Sequence, residues 1–204
     1  PAEAETRAIR VSEMSAGDLV AAAAVLHSLL EPRSDPNPRD SASRMVSYSG
    51  EVTSELAKPE ERMAIFEKAA ELIHDLSKVA NSDEARQFLD RAANLAALSV
   101  VLAHPFEDGN GRTARVLAHT IKIGFDNTEK IRADLITLGT NRTRDGFRIG
   151  SFMPGFKSEG MTPQQILEVA ASLEIPLSDE QTYITKSWEA FSSPYNPAIG
   201  PVFE

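Results

Sequence analysis

His104-Pro105-Phe106-Glu107-Asp108-Gly109-Asn110-Gly111-Arg112-Thr113-Ala114-Arg115 is the stretch on which the fold of this chain turns. Phe88, Leu89, Ala92, Leu95, Ala96 and Leu102 lead into it at helical spacing, and Val116, Leu117 and Ile121 lead out to a stop at Gly124. The run is therefore a loop between two helices, and the second helix starts inside it. Gly109-Asn110-Gly111 can turn successive backbone N–H groups toward one point, because glycine takes positive φ without steric cost and asparagine tolerates it. A helix N-terminus at the same place adds its unpaired N–H groups and the positive end of its dipole, so an anion gains from both. Phosphate suits such a nest.

The charged residues around the turn point the same way. Arg112 and Arg115 stand three apart on one helix face, where two guanidinium forks can grip successive phosphates. Asp108 is placed to hold Mg²⁺, which reaches proteins through one or two carboxylates plus substrate phosphates. His104 has a side chain whose ordinary pKa lies near neutrality, so it can take a proton from a hydroxyl nucleophile. Phe106 is expected to anchor the loop in the core.

With these residues quoted, the run resembles the signature of the Fic family, HPFx(D/N)GNGRxxR, at every fixed position. The resemblance implies an all-α domain with a short β-hairpin flap, and transfer of AMP from ATP, with Mg²⁺, to a Ser, Thr or Tyr hydroxyl of a target protein. By position it makes His104 the base and Asp108 the Mg²⁺ ligand. Gly109, Asn110 and Gly111 become the anion hole, and Arg112 and Arg115 the phosphate clamps. Doc-like relatives, which transfer a γ-phosphoryl group, carry alanine at the first glycine and lysine at the second; neither change is present here, which favours AMP. Transfer of UMP or phosphocholine stays open, as does a non-catalytic nucleotide-responsive binding module, although intact His104 and Asp108 argue against a pure binder.

Composition fits one self-contained domain. The 204 residues can bury a substantial core. We expect a single domain over 1–204, with its core at 15–138, a C-terminal helical extension at 161–191 and an irregular tail at 192–204. No apolar run approaches the roughly 18 residues of a membrane span. The absence of cysteine excludes disulfides and thiol catalysis, and a net charge of -9 opposes a nucleic-acid partner, which needs a basic footprint. That field also repels free ATP, so local positive charge and Mg²⁺ must do the binding. No His/Cys cluster suggests zinc and no Ser-His-Asp set suggests a hydrolytic triad. The sequence opens at Pro1 rather than Met, so a fragment or processed chain is expected.

Elsewhere the pattern is helical. Ser15 to Leu30 reads as a helix with Ser15 and Asp18 at its start, and Pro59 opens another to Ser77 with Met63, Phe66, Ala70 and Ile73 as core. Asn81 and Glu84 read as a capping box for the helix before the motif. Thr162-Gln165 and Ser178-Gln181 read the same way further on, and 128–138 suits another helix. Between 44 and 52, weak alternation and a Ser49-Gly50 turn suggest a hairpin. The resemblance makes its residues Val46, Ser47 and Tyr48 a flap that docks the target's backbone. Arg142, Arg144 and Arg148 are read as solvated charge in a glycine-bearing loop, and His27, His74 and His119 as packing histidines.

Many Fic proteins carry an inhibitory helix, (S/T)xxxE(G/N), whose Glu captures the second motif arginine. The sole Glu followed by Gly or Asn is Glu159, and Gly155 stands where Ser or Thr is required. Relaxed matches end at Glu51 and Glu189, with Val52 and Ala190 in the last position. The chain is therefore expected to follow one of two courses, of which one is to work uninhibited, as effectors delivered into a host cell cytosol do. A bacterial cytoplasmic protein held by a separate antitoxin or a missing segment is the other course.

Overall fold

Helix α4 (Ala85–Ala103) is the axis around which the rest is built. In the computed structural model, which describes residues 2–35, 37–38, 44–46, 52–55, 57–79, 84–133 and 160–173, every side chain from Ala92 to Val100 is buried. A helix apolar all round must be covered on all sides. Its covers are α1 (Ala2–Ser12), α3 (Pro59–Val79), α5 (Asn110–Ile123) and α6 (Pro163–Ser172), with α2 (Ala16–Leu30) lying against α3 and α5. Alanines 92, 93, 96 and 97 leave room for these neighbours to approach. The one-sided stripe expected from the sequence is thus too narrow, and Leu102, which it included, is only half-buried.

Local chemistry sets the ends of the elements. Ser15 and Asp18 close a full capping box at the start of α2, and Thr162 with Gln165 does the same for α6, where Pro163 takes the first helical position. The box expected before α4 rests on Asn81, which lies outside the described residues. Glu84 takes the N-cap position of α4 and makes no side-chain cap hydrogen bond. In α3 the core face is Ile65, Phe66, Ala69 and Ile73, while Met63 is exposed and Ala70 half-buried, because the buried residues recur on a face that Met63 does not share.

Helix α1 was not expected. Its apolar content is slight, with Val11 buried and Ile9 exposed, yet acidic residues sit in its first turn and Arg10 in its last, matching the helix dipole. Arg7 ties it to the site helix by donating to Lys122 O at the C-terminal end of α5. Gly124 follows there at φ 94, where a Cβ would come within 3.1 Å of Arg7 Nε. Lys122 Nζ pairs with Asp90 Oδ1 at 2.9 Å, joining α5 to α4.

Strands β1 (Arg44–Val46) and β2 (Val52–Glu55) pair antiparallel, with Arg44 opposite Glu55, Met45 opposite Ser54 and Val46 opposite Val52. Ser47 and Tyr48 lie outside the described residues, as do Arg142, Arg144, Arg148, Glu51 and Glu159. Helical backbone resumes over 128–133. The chain separates into a unit at Pro1–Leu173 and a second at Glu174–Glu204. The second holds the Ser178-Gln181 pattern and Glu189, and none of it is among the described residues. Among the described residues, no single helix is long and apolar enough to cross a membrane.

Candidate active site

His104 ends α4 in the left-handed region, at φ 46 and ψ 55, while its backbone N–H donates to Val100 O at 2.9 Å. It is the one non-glycine residue with positive φ among the described residues. The conformation costs a Cβ-bearing residue about 1–2 kcal/mol, and such costs are kept where the side chain is needed. Two variants separate strain from chemistry. Both His104→Ala and His104→Gly remove the imidazole, but only glycine relieves the bend, so the glycine variant should be more stable by about 1 kcal/mol in a urea melt. Equal stabilities would show that the bend is not strained.

The loop after His104 is closed by its own residues. Phe106 is buried, and its N–H donates to Asn110 Oδ1 at 2.9 Å while Asn110 Nδ2 donates back to Phe106 O at 2.7 Å. Asn110 is itself buried. Its side chain therefore staples the loop, and only its backbone N–H is left for the anion nest that the sequence assigned to it. Asp108 Oδ1 accepts from Gly109 N–H at 2.6 Å. Gly109 caps α5 at φ 76 and brings no side-chain cap, so the first-turn amides of Asn110, Gly111 and Arg112 receive no side-chain acceptor from the cap position.

Helix α2 reaches this turn from far away in the chain. His27, fully buried, stacks on Phe106 with ring centroids 4.0 Å apart and planes 13° from parallel. His27 Nε2 lies 3.0 Å from the Asp108 carbonyl oxygen, which can only accept, so Nε2 carries the proton and donates. Burial holds this imidazole below its ordinary pKa, against the opposing pull of that carbonyl, and with the proton on Nε2 the buried Nδ1 is a bare acceptor without a partner. One turn on, Glu31 forms an ion pair with Arg112 Nη1, and a Cβ on Gly109 would come within 3.0 Å of Glu31 Cγ. Sequence reasoning assigned His27 to packing and gave Glu31 no role. The one available signal was their shared helix face at i, i+4, which does not say what that face meets.

Arg112 thus stands between two carboxylates, since its Nη2 lies 3.5 Å from Asp108 Oδ2. Arg115 and His119 are half-buried further along α5, and His74 is exposed on α3. Among the described residues, no group of three or more His, Asp or Glu side chains is gathered to hold a metal, so no closed cage exists. Asp108 alone, with its side chain 79% exposed, fits a cation that keeps most of its shell as water and phosphate, which is the habit of Mg²⁺.

Residues 22–121, which run from within α2 through most of α5, match the Fic/DOC family. The chain carries a Fic domain. The matched stretch contains His27, Glu31 and the whole motif from His104 to Arg115. No curated protein and no solved structure is significantly similar to the chain. Fic proteins are in general transferases of the AMP-transferring type or related to it; they act on protein targets, and some have antitoxin partners. The helical build described above agrees with a Fic domain.

Proposed function

We propose that the chain is a protein adenylyltransferase. What supports this is the juxtaposition, within one loop, of a histidine held in a strained bend and a helix whose glycine cap leaves its first-turn amides unserved by a cap side chain. An exposed aspartate and an arginine in the first turn flank that helix start. The amides of the turn bind phosphate oxygens, Arg112 and Arg115 offset their charge, and Asp108 would hold Mg²⁺, which when bound neutralises further phosphate charge. His104 removes the proton from a target Ser, Thr or Tyr hydroxyl as that oxygen bonds to the α-phosphorus. The bond from the α-phosphorus to the bridging oxygen breaks, pyrophosphate leaves, and AMP stays on the target. Catalysis is positioning plus charge stabilisation. Val46, Ser47 and Tyr48 are assigned to a flap that pairs with the target's backbone, as added strands do elsewhere.

Two labels test the reaction. With ATP labelled at the α-phosphate, proteins of a heat-inactivated cell lysate, whose own kinases no longer act, should become labelled in the presence of Mg²⁺, whereas γ-labelled ATP should leave them dark. The reverse pattern would assign phosphoryl transfer. Asp108→Ala and Arg112→Ala should each weaken MgATP binding by about 1.5–3 kcal/mol, the size of a charge-assisted hydrogen bond. Unchanged affinity in calorimetry together with unchanged turnover would place the phosphates elsewhere.

A further inference from the structure

We infer that the last turn of α2 belongs to the phosphate site: His27 and Glu31 are positioning residues, the first for the Asp108–Gly109 turn and the second for Arg112. The inference rests on the AMP-transfer function proposed above.

The two side chains reach the turn from the last turn of α2, His27, and from its C-cap, Glu31, and touch it at complementary places. His27 holds both limbs of the loop, stacking on Phe106 before the turn and donating to the carbonyl of Asp108 within it. A residue needed only to fill space there would be apolar, because an imidazole buried to this degree leaves Nδ1 without a partner. The polar contact it does make fixes the backbone immediately ahead of Gly109, the cap of the helix whose first-turn N–H groups form the nest.

Glu31 acts on the side chains of the same turn. Its Cγ lies over Gly109, and its carboxylate holds one end of the Arg112 guanidinium while Asp108 stands looser at the other, at 3.5 Å. Without Glu31, the guanidinium is free to close on Asp108 as a two-pronged pair, the preferred geometry of arginine with a carboxylate. That collapse would mask the aspartate and turn the arginine away from phosphate in one movement. Glu31 therefore keeps the cationic and anionic halves of the site apart.

The test uses the full chain with Glu31→Ala, Glu31→Gln, His27→Phe and His27→Gln, and Val25→Ser on the exposed face of α2 as control. Amide exchange over 108–113 should speed up in Glu31→Ala and in His27→Phe, which keeps the stack but not the donor. It should stay near wild type in the control. MgATP affinity should fall ~10–100-fold in the same two variants, the usual cost of removing an outer partner of a site ligand, with the KM for the target protein unmoved. Glu31→Gln, which keeps an oxygen for Arg112, and His27→Gln, which keeps a donor for Asp108 O, should recover most of the loss. Exchange and MgATP affinity equal to wild type in Glu31→Ala and His27→Phe would overturn the inference, as would tighter MgATP binding in Glu31→Ala. If exchange rises as expected but the wild-type chain binds no MgATP, the brace stands and AMP transfer falls.

Discussion

His104→Ala is expected to stop AMP transfer while MgATP still binds. The imidazole acts on the target hydroxyl and not on the nucleotide, so its loss removes a proton acceptor and leaves the turn, Asp108 and Arg112 in place. Loss of a general base costs about 10²–10⁴ in rate. Steady-state transfer to an identified target gives the rate, and calorimetry with MgATP gives the binding. Transfer at the wild-type rate would remove His104 from the chemistry. A parallel loss of nucleotide affinity would mean instead that the residue shapes the binding site.

Phe106→Ala is expected to cost the most stability of any single change in the loop, about 3–5 kcal/mol, as is usual for deleting a buried aromatic ring. Phe106 is 1% exposed, and its ring is one face of the stack with His27, so truncation opens a cavity between α2 and the motif. Its backbone is also both donor and acceptor for Asn110, and a cavity beside that pair loosens the bend into α5. A urea titration should show a lower midpoint at unchanged slope. A loss below about 1 kcal/mol would show that the loop is not seated in the core. Phe106→Leu, which keeps much of the volume, should lose far less.

The helices of the site were legible because their apolar residues repeat at helical spacing over several turns. The stretch from Phe88 to Ala96 could be placed on a buried helix from spacing alone, and Gly124 marked the end of α5. The loop chemistry was legible because glycine, asparagine and charge are packed into adjacent positions. Helix α1 was not, since Val11 alone does not make a stripe and its hold on the fold comes through Arg7, a polar contact to a carbonyl 115 residues away. Asn110 was half legible: its place in the turn was clear, but only the fold shows its side chain turned back onto Phe106. His27 and Glu31 escaped for a similar reason. Their partners lie across the chain, Asp108 standing 81 positions after His27, and no local pattern encodes that meeting.

The most direct measurement is mass spectrometry of proteins incubated with the wild-type chain, ATP and Mg²⁺, set beside the same incubation with the His104→Ala variant. AMP transfer predicts peptides carrying one adenylyl group on a Ser, Thr or Tyr side chain, present with wild type and absent with the variant. Peptides bearing only a phosphoryl group, or adenylylated peptides at equal abundance in both incubations, would contradict it.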